Sequence, residues 1–98
     1  MSSNSRPTFT TAQLTLTNQD EWYSLPDIQV GEGCEVVIKS KAGNTGEIKV
    51  AHDDTDSKNG PFILDNPGDS LSLRIKNTTQ IVVSSSVAGQ VVEVVTEQ

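Results

Sequence analysis

Apolar and polar residues alternate with a period of two through most of the chain. In the first such segment Ala12, Leu14 and Leu16 share one parity, and glutamine and threonine residues lie between them. This alternation is typical of half-buried β-strands, and no window of 11 residues shows convincing helical periodicity. The pattern predicts eight strands, at Thr8–Thr17, Trp22–Leu25, Cys34–Ser40, Glu47–His52, Phe62–Leu64, Ser70–Lys76, Gln80–Ser85 and Val91–Thr96.

Turn signals separate these strands at short intervals. Gly31-Glu32-Gly33, Ala42 to Gly46 and Asn66 to Asp69 combine glycine, asparagine and proline, the residues that turn conformations require. Short strands at this spacing favour an all-β fold, and we expect an antiparallel β-sandwich, an eight-stranded jelly roll. The 98 residues suffice for one core, so we predict a single domain over residues 8–98 and a flexible N-terminal arm over residues 1–7.

The last predicted strand carries valines on both parities. Val91, Val92, Val94 and Val95 would therefore place apolar side chains on two faces, and a strand that is apolar on both sides is usually covered on both. We expect these valines to contribute to a closed core and partly to subunit contact. The alternative is a strand that curls over the end of the barrel.

The polar arm offers a second candidate contact. Arg6, Pro7 and the nearby Phe9 could order against a neighbouring subunit, and the alternative is a frayed terminus.

Composition and charge exclude several classes of function. Seven Lys and Arg against 13 Asp and Glu give a net charge of −6, which argues against a nucleic-acid partner because phosphate binding needs a positive face. No window approaches the roughly 18 apolar residues of a membrane span, and residues 1–7 lack the apolar region of a secretion signal. One cysteine and one histidine exclude a disulfide framework and the usual zinc sites, so we expect no metal and no cofactor.

Candidate catalytic chemistry is sparse. The sole histidine, His52, is distant in sequence from Cys34, and a nucleophile needs a histidine base held by a third group. Cys34 alternates with core-type residues and is expected to be buried. We therefore predict no catalytic residues and no enzymatic activity.

The acidic segment Asp53–Asn59 is the one dense cluster of ligand-type side chains. Counted from Asp54 as a calcium loop, its fifth position is Lys58 and its glycine position is Asn59, so the spacing fits poorly. A solvated turn is the interpretation we favour, and cation binding stays open.

Trp22 and Tyr23 support an alternative function, because two neighbouring aromatic rings could form a stacking platform for a carbohydrate. Adjacent strand residues point to opposite faces, however, so one of the two rings is expected in the core.

The order of the segments resembles a known group of proteins. The chain reads "WYSLPDIQVGEGCEVVIKSKAGNTGEIKVA", then "GPFILDNPGDSLSLRI" and finally "IVVSSSVAGQVVEVV", and over roughly Leu14 to Val95 it is similar to small jelly-roll virion proteins of tailed bacteriophages. The group includes capsid decoration (cement) proteins and jelly-roll modules of tails and fibres. The acidic segment Asp53–Asn59 matches no part of the pattern.

This resemblance implies a non-enzymatic structural protein on the capsid surface, assembled in the host cytoplasm. It would bind the outer surface of the lattice and bridge major capsid subunits, itself forming a homo-oligomer, with a trimer expected. The arm, Phe9 and the four valines would then supply subunit or capsid contacts. The alternative is a carbohydrate-binding, receptor-binding or adaptor module of a phage tail, with Trp22 and Tyr23 as the ligand platform.

Overall fold

All eight predicted strands form in the computed structural model, which describes residues 8–53 and 58–98. The proposed arm, with Arg6 and Pro7, and most of the acidic segment lie outside the described residues. The strands are β1 (Phe9–Leu16), β2 (Tyr23–Ser24), β3 (Val36–Ser40), β4 (Ile48–His52), β5 (Phe62–Leu64), β6 (Ser70–Leu73), β7 (Ile81–Ser84) and β8 (Gln90–Glu97).

The strands form two antiparallel sheets that pack face to face, which confirms the predicted β-sandwich. The first sheet has the order β1-β8-β3-β6 and the second the order β2-β7-β4-β5. The pairs β1 with β8, β2 with β7, β3 with β6 and β4 with β5 are therefore nested. This nesting is the pairing expected of a chain that folds back on itself as one long hairpin and then rolls into two layers. No helix in residues 8–53 or 58–98 is long and apolar enough to cross a membrane.

The core lies between the sheets and draws on both. Residues of one parity on most strands point inward, so the alternation seen in the sequence becomes the division between core and surface, and β7, which is buried at all four positions, is the exception. Aliphatic side chains fill the space, and those in the centre are fully buried: Leu16, Val36, Ile38, Ile48, Val83 and Val92. Tyr23, Cys34, Leu71, Leu73 and Ile75 pack against this cluster and stay partly exposed.

Two predicted strand boundaries are wrong by more than one residue, and both lie at the same end of the sandwich. β3 begins at Val36 rather than Cys34, because Cys34 closes a tight turn by donating its N–H to the Gly31 carbonyl at 2.9 Å. Gly33 has a φ of 74° in this turn, a conformation that favours glycine. β6 ends at Leu73 rather than Lys76, because the Lys76 carbonyl accepts the Val30 N–H at 2.9 Å instead of pairing with β3.

A short 3-10 turn, Thr78–Gln80, precedes β7 and holds the connection between β2 and β3. Asn77 and Gln80 form a capping box across this turn. The buried Thr78 hydroxyl accepts the Ile28 N–H at 2.8 Å and donates to the Pro26 carbonyl. One side chain therefore ties two distant segments together at this end.

Two side-chain amides fix the loop after β3 onto the start of β8. The Asn44 carboxamide imitates a strand: its Nδ2 donates to the Val91 carbonyl at 2.8 Å, and its Oδ1 accepts the Val91 N–H at 2.9 Å. The buried Gln90 Oε1 accepts the N–H groups of Thr45 and Gly46 at 2.6 and 2.9 Å. The Gln90 bonds satisfy two N–H groups of the loop, and the Asn44 bonds satisfy the Val91 backbone beyond the last residue pair of β3 and β8.

Glu47 anchors the turn between β7 and β8 through its carboxylate. Ser86 donates its hydroxyl to both carboxylate oxygens, at 2.8 and 2.9 Å, and its N–H to Oε1 at 3.3 Å. Partial burial raises the pKa of Glu47, but the bonds from Ser86 and the charge of Lys49 lower it by more, so the pKa lies below its ordinary value of 4.5.

We expect Glu47→Gln to flatten the acid dependence of stability. A carboxyl group with a lowered pKa in the folded state stabilises the fold above its unfolded pKa, and the stabilisation is lost as the pH falls through the folded pKa. The urea midpoints of the native chain and the variant should therefore differ most above pH 5 or so and converge toward pH 3. Glu32→Gln, at an exposed turn position, is the control, and its urea midpoints should follow those of the native chain at every pH. If the urea midpoints of the native chain and Glu47→Gln differ by the same amount at every pH, the prediction is contradicted.

Candidate functional site

Strand β8 separates its four valines into two pairs. Val92 and Val94 point into the core and are 0% and 3% exposed, whereas Val91 and Val95 lie on the outer face of the first sheet and are partly exposed. The prediction that all four contribute to contacts is therefore corrected, because the two core side chains are not available to a partner. The outward pair remains a candidate contact.

Phe9 and Val37 extend the outer apolar surface on either side of Val95. In the register of the sheet, Val95 lies opposite Thr11 of β1 and Val37 of β3, and Phe9 lies opposite Glu97. Phe9 is 68% exposed, the largest exposed fraction among the large apolar residues that the structure describes. Phe9, Val37 and Val95 together with Glu35 and Glu97 line a shallow depression of about 310 Å³, which we call the outer-face patch.

The outer-face patch carries two carboxylates at one edge. The Glu35 N–H donates to Glu97 Oε1 at 3.1 Å, so the Glu97 side chain is held across the first residues of the neighbouring strand. Among the described residues, the single ion pair joins Lys39 Nζ and Glu93 Oε1 at 3.8 Å, on the same two strands but farther along them. The patch therefore combines an apolar floor with an acidic rim, which is the character of a binding surface.

The aromatic pair divides between core and surface, as the alternation of strand residues predicted. Tyr23 packs against the core, and its Oη accepts the Asn18 N–H at 2.9 Å. Trp22 lies directly before β2, is partly exposed and is outside the core cluster. The two rings therefore do not form one stacking platform, and that interpretation is corrected.

Two other depressions lie between the sheets and at their end. An apolar cleft of about 290 Å³ opens at the edge formed by β5 and β6, where Phe62 is 57% exposed. A groove of about 460 Å³ runs between the turn at Gly31 and the pair Arg74 and Lys76. Cys34 lines this groove and packs against the core, but it is only partly buried, whereas the sequence predicted a buried side chain.

The described part of the chain contains no group of three or more histidine, cysteine, aspartate or glutamate side chains placed to hold a metal ion. Residues 54–57 of the acidic segment are outside that part, so cation binding by Asp53–Asn59 stays an open question. His52 is exposed at the end of β4.

Sequence reasoning missed three residues of the outer-face patch. The Val36-Val37 doublet was a usable signal for Val37, because it repeats on a smaller scale the two-faced pattern of β8. Glu35 and Glu97 gave no signal, since they are 62 residues apart and meet only through the pairing of β3 with β8.

No family model matches the chain, and neither the curated proteins nor the solved structures contain a match to it.

Proposed function

We propose that this chain is a phage capsid decoration protein that binds the outer surface of the capsid lattice and stabilises it by bridging neighbouring subunits. The outer-face patch is the observation that carries the proposal. Phe9, Val37 and Val95 lie on the solvent side of a sheet whose other side builds the core. Apolar groups gathered on such a face, with polar groups around them, are typical of protein–protein contacts.

A second exposed apolar surface supports the bridging role. Phe62 and Ile63 on β5 are 57% and 43% exposed, and they belong to the edge of the second sheet, whereas the outer-face patch belongs to the first. A lattice protein needs at least two separate contacts, one to the capsid and one to another subunit or copy. We assign the outer-face patch to the capsid and the β5 edge to a homo-oligomer, for which a trimer is the expected state.

The nested strand pairing supports a jelly roll, the fold implied by the resemblance to small virion proteins. The alternative, a carbohydrate-binding or adaptor module of a phage tail, has less support because Tyr23 packs against the core instead of joining Trp22 on the surface.

Co-sedimentation with capsids purified from the phage that carries the gene tests the proposal. We expect the chain to pellet with these capsids and to raise the temperature at which they disassemble. Phe9→Ser combined with Val95→Ser should weaken binding by about 100-fold or more, since each buried apolar side chain contributes about 1.5–3 kcal/mol, the two contribute about 3–6 kcal/mol together, and 1.4 kcal/mol is a factor of ten.

Thr15→Ala, on the same face but outside the depression, is the control and should bind as the native chain does. Light scattering of the free chain gives its oligomeric state. A monodisperse monomer that does not bind the capsids would contradict the proposal.

A further inference from the structure

The acidic rim of the outer-face patch indicates the chemistry of its partner. We propose that the patch is a receptor for one arginine or lysine side chain that a protein partner presents. This inference rests on the proposed function and deepens it, because it names the kind of residue through which the capsid subunit would be held.

The shape of the patch suits a long side chain with a charged tip. A depression of about 310 Å³ has room for one such side chain, and its floor is formed by Val37 and Val95. Lysine and arginine cover apolar surface with their methylene stems while the charged head stays at the polar edge. Phe9 forms the wall, and an aromatic ring within about 6 Å of a cationic head attracts it.

The carboxylates of the patch lack a partner cation such as Glu93 has farther along β8. Glu93 lies opposite Lys39, and these two side chains form an ion pair at 3.8 Å. Four residues farther along the same strands, the Glu35 N–H donates to Glu97 Oε1, and no lysine or arginine of residues 8–53 and 58–98 lies within 4.0 Å of either carboxylate. An arginine or lysine from outside would therefore pair with carboxylates that no cation of the described residues occupies.

The hydrogen bond from the Glu35 N–H to Glu97 Oε1 holds one of these carboxylates in place. Its second oxygen remains available for the incoming head group. A receptor group that is already fixed loses less conformational freedom on binding than a mobile side chain would. The net charge of −6 also attracts cationic partners at long range.

Two-dimensional ¹H–¹⁵N NMR of the full chain, titrated with N-acetyl-arginine amide, tests the proposal. N-acetyl-citrulline amide, which has nearly the same shape and no charge, is the matched ligand. We expect the arginine compound to shift the amides of Phe9, Val37 and Val95 with a millimolar Kd, and the citrulline compound to leave them in place.

Glu35→Gln combined with Glu97→Gln should weaken the binding of the arginine compound by at least about fivefold, because both charges of the rim are removed. Glu93→Gln, which removes the carboxylate that pairs with Lys39, is the control variant. It should bind the arginine compound within about twofold of the native chain. Equal shifts with the citrulline compound, or an equal loss in Glu93→Gln, would overturn the proposal.

Arg6→Gln distinguishes a partner from the chain's own arm. Unchanged affinity for the arginine compound supports a partner as the occupant, whereas markedly tighter binding would overturn that assignment, because Arg6 would have been competing for the patch.

Capsid co-sedimentation separates this inference from the proposed function. Full capsid binding by the Glu35→Gln, Glu97→Gln variant would overturn the inference and leave the function standing. A native chain that binds the arginine compound but no capsid would support the receptor and refute the decoration role.

Discussion

Val92→Asp is expected to prevent stable folding, whereas Val91→Asp, one residue earlier on the same strand, should leave the fold intact. Val92 is 0% exposed in the centre of the core, so the variant must either bury a charge or protonate it. The effective penalty for a buried unpaired ion is several kcal/mol, and the whole stability of a small domain is about 5–15 kcal/mol. Val91 lies on the outer face, where a carboxylate keeps its hydration.

Far-UV circular dichroism and urea unfolding at pH 7 measure the difference between the two variants. We expect Val92→Asp to show no cooperative transition and Val91→Asp to unfold within about 1 kcal/mol of the native chain. A cooperative Val92→Asp variant with a native midpoint would show that the outward and inward valines of β8 have been assigned to the wrong faces.

The contrast between these two valines shows how far the sequence could predict the fold. Strand alternation is a local property, so all eight strands could be located from residue types alone. The sequence also showed that β8 carries valines on both parities, but it could not tell which pair faces inward. That choice depends on the register against β1 and β3, which links residues far apart in the chain.

The candidate site was harder to predict for the same reason. Phe9 and Val95 were expected to form contacts, and the register places them on one face with Val37. The two glutamates that give the patch its chemistry are ordinary surface residues in sequence. Glu35 and Glu97 come together only when β3 and β8 pair, and the proposal of a cationic partner depends on that pairing.

The strand ends that the sequence placed wrongly were decided by tertiary contacts. Lys76 continues the alternating pattern of β6, but its carbonyl pairs with the Val30 N–H in the connection between β2 and β3. Local propensity gives no information about such a partner, which lies 46 residues away in the chain. Loops that take up backbone groups in this way shorten strands without any change in residue type.

The two faces of the first sheet have different roles, and this difference has a functional consequence. Side chains of one parity on β8 maintain the core, and those of the other parity can change with little loss of stability. A surface on the outer face of such a sheet can therefore change in sequence while the fold is retained. The one strongly polar position on the inner side, Gln90, is the exception, because its side chain is committed to the backbone of another loop.

Gln90→Leu is expected to lower the free energy of unfolding by about 3 kcal/mol, since the loop after β3 depends on this amide. The substitution conserves most of the side-chain volume but removes the acceptor of the Thr45 and Gly46 N–H groups. A polar group left without its partner costs about 1–3 kcal/mol when it is buried, and two N–H groups in part-buried hydrogen bonds share this acceptor. For a domain of this size the expected loss corresponds to a decrease in Tm on the order of 15 °C.

Gln13→Leu provides the control, because Gln13 lies on the exposed face of β1 and bonds only to exposed side chains, at 3.3 and 3.4 Å. We expect it to change stability by less than about 0.5 kcal/mol. Thermal unfolding followed by circular dichroism compares the three chains, and amide hydrogen exchange adds a local measurement at Thr45 and Gly46. Fast exchange at these two amides in Gln90→Leu, with slow exchange retained in β1, would locate the loss in the loop. Equal decreases in Tm for both variants would instead mean that Gln90 contributes no more than any polar residue of the surface, and that the loop is held by Asn44 alone.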